Sequence, residues 1–116
     1  MELTFTGRGL SVDDELRDTA AHKLARLGRL EPRVTRIDLK FINEHHPKLD
    51  GLKRVEAALK IPRKTFFAHA EAGDVPSALD DVADKLERQL RDHHGKRRTR
   101  VHRGLESAHL SPDTAD

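Results

Sequence analysis

The sequence predicts an α+β domain of order β-α-β-β-β-α, a four-stranded mixed sheet with two helices packed on one face. Three observations predict it. Two segments repeat apolar residues at helical spacing, four alternate apolar and polar residues, and Gly, Pro and Asp signals separate them in that order. At 116 residues the chain has the size of one ordinary domain. Charged residues (36%) match apolar ones (35%), so the domain folds only because its apolar residues are patterned rather than dispersed.

The stretch "ELTFT" (2–6) alternates, with Leu3 and Phe5 on one side, and ends at the turn "GRG". Ser11 offers an N-cap with Asp14 three residues on, a shortened capping box. Leu16, Ala20, Leu24 and Leu27 form the stripe of the first helix, and Gly28 followed by Pro32 supplies its stop. Ile37, Leu39 and Phe41 alternate with Arg36, Asp38 and Lys40 in a second strand with one wet face. "NEHHPKLDGL" is a loop; Val55, Ala57, Leu59 and Ile61 mark a third strand. After "PRK", Phe66, Ala68 and Ala70 face inward on a fourth strand, leaving Phe67, His69 and Glu71 outside. Asp74 caps the last helix, Pro76 fits its first turn, and Leu79, Val82, Leu86 and Leu90 are its buried stripe. The strands flanking the first helix pair in parallel and the last three form a meander. The apolar period ends at Gly95, which divides a folded domain (1–95) from a tail (96–116) that is basic, then mildly acidic, and partly disordered.

The absence of cysteine excludes disulfides, thiol catalysis and cysteine-ligated zinc, and no apolar run resembles a signal peptide or membrane span. A cytoplasmic protein without membrane contact is expected. The net charge is only +2, so any anion-binding surface must come from segregation of charge.

Segregation is present. In the first helix Asp13, Asp14, Glu15 and Asp18 come early and His22, Lys23, Arg26 and Arg29 late. The helix dipole alone favours that distribution. Stepping residues by about 100° places His22, Arg26 and Arg29 in one polar sector, with Lys23 at the edge of the apolar stripe. The last helix repeats the arrangement, with Asp80, Asp81 and Asp84 before Lys85, Arg88 and Arg91. Lys96, Arg97, Arg98, Arg100 and Arg103 follow, and mutual repulsion among five cations disfavours compaction unless an anion neutralises them. Nucleic acid is the anion expected. No helix-turn-helix, zinc ligand set or basic zipper points to DNA. Aromatic stacking platforms are also missing, since the chain has four Phe and neither Tyr nor Trp, and only Phe67 is expected on the open sheet face. Phosphates of a structured RNA are therefore the expected contacts, made by Lys23, Arg26, Arg29, Lys85, Arg88, Arg91, Lys96, Arg97, Arg98 and Arg100.

The segments "ELTFTGRGLSVDDELRDTAAHKLARL" and "HAEAGDVPSALDDVADKLERQLRDHHGK", separated by three strands, resemble the ribosome hibernation-promoting factor and ribosome-associated inhibitor family, over about residues 1–98. "DKLERQL" is the most specific part of the likeness. The resemblance implies a β-α-β-β-β-α domain that binds the small ribosomal subunit and its 16S rRNA where mRNA and the A-site and P-site tRNAs sit. It implies competition with them, inhibition of translation by occlusion, and a monomer away from the ribosome. Lys23 and Arg26 fall where the family places basic residues at the end of its first helix. Lys85 and Arg88 match those of its last helix, and Arg91, Lys96 and Arg97 continue its cationic end. Val75 and Pro76 depart from the Met-Tyr of better-known members, so no aromatic contact there carries over. The length leaves no room for the dimerising domain of long members, and pairing of ribosomes through it is not expected.

Two rival readings are weighed against this one. Histidines 45, 46, 93 and 94 invite a metal site, but adjacent histidines point in different directions and no carboxylate pattern completes a ligand set. Asp80, Asp81 and Asp84 read as dipole complementation before magnesium ligands, and "GRG" is too short for a phosphate loop. No catalytic residue, metal or cofactor is expected. The other rival is a general double-stranded RNA-binding module, to which the last three strands and helix are similar.

Overall fold

β1 (Glu2–Arg8), α1 (Asp14–Leu30), β2 (Arg36–Asn43), β3 (Lys53–Ile61), β4 (Lys64–Ala72) and α2 (Val75–Glu106) follow one another in the expected order. The structure, a computed structural model, describes the backbone of residues 1–43 and 51–106 and the side chains of 1–43 and 51–95. The expectations for His45, His46 and the tail beyond 106 lie outside the described residues, as do the side chains of Lys96, Arg97, Arg98 and Arg100.

The sheet order is β1-β2-β3-β4. β1 pairs parallel with β2, from Glu2↔Arg36 to Arg8↔Ile42, while β2–β3 and β3–β4 are antiparallel. A parallel first pair follows from the α1 crossover, and the meander from short connections such as Pro62–Arg63, which joins the paired residues Ile61 and Lys64. Arg63 takes φ 70°, the left-handed value that a type II turn requires after proline.

Alternation places Ile37, Leu39, Phe41, Val55, Leu59 and Phe66 on the inner face, all buried. Ala20, Leu24 and Leu27 of α1 and Leu79, Val82, Leu86 and Leu90 of α2 join the same core, so both helices cover one face. Each large side chain so buried contributes about 1.5–3 kcal/mol, much of it offset by conformational entropy. The alanines of the paired strands, Ala57↔Ala68 and Ala70 opposite Val55, keep the floor low beneath α2.

Local signals differ from expectation at three boundaries. Asp13, not Ser11, caps α1: its Oδ1 accepts from the Leu16 amide at 2.9 Å. The chain bends through Gly9 (φ 77°) after Gly7, where a Cβ would stand 2.5 Å from the Leu10 carbonyl oxygen, and this bend delays the helix start past Ser11. α1 also passes Gly28 and ends at Leu30, with the Glu31 amide donating to the Leu27 carbonyl at 2.9 Å. Gly28 leaves space for Met1, whose Sδ would lie 3.3 Å from a Cβ there. Asp74 caps α2 as expected, accepting from the Ser77 amide at 2.8 Å. α2 then continues past Gly95 to Glu106: one glycine costs a helix only about 1 kcal/mol, and the Lys and Arg residues that follow at 96–98 have high helix propensity.

Candidate nucleic-acid interface

β2 and β4 run in the same direction, being two antiparallel steps apart, and β1 runs with β2. α1 and α2 each follow a strand of that direction, so both return the opposite way and lie parallel. The contacts between them confirm it. Lys23 meets Asp80, Arg26 meets Asp84 and Glu87, and Glu31 at the end of α1 meets His94, so position rises along both helices together. Their carboxyl ends therefore emerge on the same side of the molecule, where the helix dipoles favour cations on both.

The cations differ in how free they are. Lys23 Nζ is 2.7 Å from Asp80 Oδ1, Arg26 Nη2 is 2.7 Å from Asp84 Oδ1, and Arg26 Nε is 2.8 Å from Glu87 Oε1. Arg91 Nη2 closes the ladder on Glu87 at 2.9 Å. Glu87 is held below the usual carboxylate range, first by the hydrogen bond from Arg91 and also by the charge of Arg26. Lys85 points to the other flank of α2 and donates to the His69 carbonyl at 2.7 Å. Arg29 and Arg88 are exposed and, among the described residues, without an acidic partner.

The candidate residues thus fall into three groups. Lys23, Arg26 and Arg91 line the seam between the helices with carboxylates already bound, Arg29 and Arg88 stand free beside it, and Lys85 caps a strand edge. The basic positions 96–100 continue on the helical backbone of α2 beyond the seam. Exposed ion pairs of this kind are worth about 0–1 kcal/mol each, so a phosphate can displace the carboxylates at low cost. The seam partners Asp80, Asp84 and Glu87 were not foreseen from sequence. Acids at spacings of four and three on one helix and cations three apart on the other each lie along one helix face, but that has no meaning until the helices are known to lie side by side.

At the head of the seam, Glu31 is buried, with 3% of its surface exposed. It accepts from the Arg33 amide at 3.0 Å and from Arg33 Nη2 at 3.1 Å, and lies 2.9 Å from His94 Nε2. The hydrogen bonds from Arg33 lead in lowering its pKa to about 2, against the opposing effect of burial. His93 faces the other way, edge-on to Phe66 at 5.3 Å between ring centroids. The two histidines therefore serve different contacts, and among the described residues no group of three or more His, Asp or Glu side chains is placed to hold a metal. Among the described residues no helix is long and apolar enough to cross a membrane.

The model of the sigma 54 modulation protein / S30EA ribosomal protein family matches residues 3–98. A ribosome hibernation promoting factor of Pseudomonas putida is 34% identical over 100 residues, covering 85% of this chain and 92% of that protein. One from Azotobacter vinelandii is 36% identical over 96 residues, 83% of this chain and 85% of the relative. Among solved structures, a ribosomal subunit interface protein from Coxiella burnetii superimposes with a TM-score of 0.71 at 30% identity, covering 82% of this chain and 99% of the other.

Proposed function

The chain belongs to the sigma 54 modulation protein / S30EA ribosomal protein family, and on that premise we propose that it is a ribosome hibernation factor acting on the small subunit. It binds 16S rRNA in the channel used by mRNA and tRNA near the A and P sites, and inhibits translation by occupying that space. The action is binding, not catalysis, and its setting is the cytoplasm.

The observation that supports the RNA-binding part is the parallel pairing of α1 and α2, which brings Arg29, Arg88 and Arg91 to one side of the molecule and leads the backbone of α2 onward through the basic positions 96–100. Two adjacent helix ends with a continuing helix form an elongated cationic surface, which suits the phosphates of a folded RNA and offers little for reading bases. Lys23 and Arg26 contribute after exchanging carboxylate partners for phosphate.

Co-sedimentation with purified small subunits tests the proposal, with and without bound mRNA and initiator tRNA. Binding that is lost when the channel is filled and that resists excess plain duplex RNA is expected. Equal affinity for any duplex would replace the proposal with the general double-stranded RNA reading, and binding unaffected by mRNA and tRNA would place the site elsewhere.

A further inference from the structure

The two edges of the sheet are finished differently. At one edge, β4 has the carbonyls of His69 and Phe67 closed by Lys85 Nζ and Gln89 Nε2, both at 2.7 Å. β1, at the other edge, has no such cover. The Glu2 amide donates to the Thr35 carbonyl at 3.0 Å, and the peptide groups of a strand alternate between its two sides, so Glu2, Thr4, Thr6 and Arg8 direct theirs to β2. Leu3, Phe5 and Gly7 therefore direct their N–H and C=O groups to the open edge, where nothing among the described residues meets them. An uncovered edge of this kind is a template for another strand.

The residues of β1 select a second β1 as that strand. Laid antiparallel to itself about Phe5, "ELTFTGR" sets Glu2 against Arg8, Leu3 against Gly7, Thr4 against Thr6 and Phe5 against Phe5. Residues 3, 5 and 7, whose peptide groups are open, then meet one another, and such opposed residues exchange N–H···O bonds on an antiparallel ladder. Glu2 and Arg8 stand at opposite ends of the outer face, both exposed and, among the described residues, without an ionic partner. Two-fold symmetry gives each its complement, twice per pair of chains. A shift of register by two residues sets Glu2 against Thr6, or Thr4 against Arg8, and matches no charges.

The helix layer leaves room for the second copy. Lys23 and Arg26 turn one side of α1 towards α2, and a step of about 100° per residue puts Ala21, Ala25 and Gly28 on the opposite side. That side overhangs β1, since the Arg17 guanidinium lies 4.9 Å from the centre of the Phe5 ring and Met1 lies against Gly28. A neighbouring α1 would approach a flank of small residues. The seam of cations between α1 and α2 stays uncovered.

We infer that β1 pairs with β1 of a second copy of this chain, antiparallel about Phe5, joining two four-stranded sheets into one. The inference goes beyond the ribosome-binding reading and does not depend on it. It departs from the monomer that the family resemblance implies.

Sedimentation velocity of the full chain over a concentration series tests it, alongside Glu2→Arg, Arg8→Glu and the combined exchange, with thermal melts to confirm folding. A concentration-dependent dimer is expected of the unchanged protein. Each single variant sets like charges opposite each other at both ends of the paired strands and is expected to weaken the dimer about tenfold. The combined exchange rebuilds both ion pairs, as does an equal mixture of the two single variants, so both are expected to regain the original affinity. Independently of charge, oxidation of a mixture of Thr4→Cys and Thr6→Cys is expected to link the two species to each other in preference to themselves, the chain having no other cysteine. A protein that stays monomeric up to about 1 mM would overturn the inference. So would a dimer indifferent to the single variants, one that the combined exchange fails to restore, or equal linking of like and unlike species, since none of these is held by Glu2 and Arg8 across a two-fold at Phe5.

Discussion

Lys85 Nζ donates to the main-chain carbonyl of His69 at 2.7 Å, tying the middle of α2 to the free edge of the sheet. β4 is an edge strand, and Gln89 closes the next outward carbonyl, that of Phe67, in the same way. Exposed strand edges invite pairing with other chains, and side chains laid across them from a helix prevent it. A residue chosen from sequence for RNA contact therefore holds structure together as well.

Lys85→Ala and Arg88→Ala should accordingly separate. The first removes a hydrogen bond from a charged donor and is expected to cost about 1–2 kcal/mol in denaturant unfolding, while the second, with no partner to lose, stays within about 0.5 kcal/mol of wild type. Arg88→Ala should still weaken RNA binding. Equal stability of the two variants would show that the Lys85 bond contributes nothing.

Freeing the seam cations should strengthen RNA binding. The triple variant Asp80→Asn, Asp84→Asn, Glu87→Gln removes the acidic partners of Lys23, Arg26 and Arg91. It is expected to bind small subunits about tenfold more tightly near 50 mM salt, with the gain shrinking towards 200 mM, at a stability cost of about 1–2 kcal/mol. Filter binding across that range checks it. An unchanged affinity would show that the seam does not meet the RNA.

Glu31 predicts an acid limb in the stability profile. Its folded pKa of about 2 lies below the ordinary 4.5, so its contribution is fully present above about pH 4.5 and disappears as pH falls towards 2. Glu31→Gln is expected to cost about 2 kcal/mol at pH 7, discounted for the half-exposed Arg33, and almost nothing near pH 2. Thermal melts of both proteins from neutral to acid pH should converge at the low end.

Gly7→Ala is expected to destabilise by about 2 kcal/mol or more, because the new Cβ would meet the Leu10 carbonyl oxygen at 2.5 Å and backbone must shift. Chemical denaturation reads the effect. A neutral result would mean the bend after β1 is free to open.

Element order, the inner face of every strand and the Asp74 cap were legible because each depends on neighbours in sequence. A period of two or of about 3.6 assigns Phe66 or Leu86 to the core before any contact is known. The start of α1 misled because Ser11 and Asp13 are both good caps, and the choice between them belongs to the tight bend at Gly7–Gly9. Clustering of basic residues was equally plain, but not which of them are free.

By itself, then, the sequence determined the fold, the faces of its elements and the presence of segregated charge, all properties of local spacing. Only the tertiary structure decided that Lys23 and Arg26 meet Asp80 and Asp84, 57 and 58 positions away, while Arg29 and Arg88 remain open. Electrostatic energy falls with distance through space, and the spatial distance between two helices is set by the sheet that carries them.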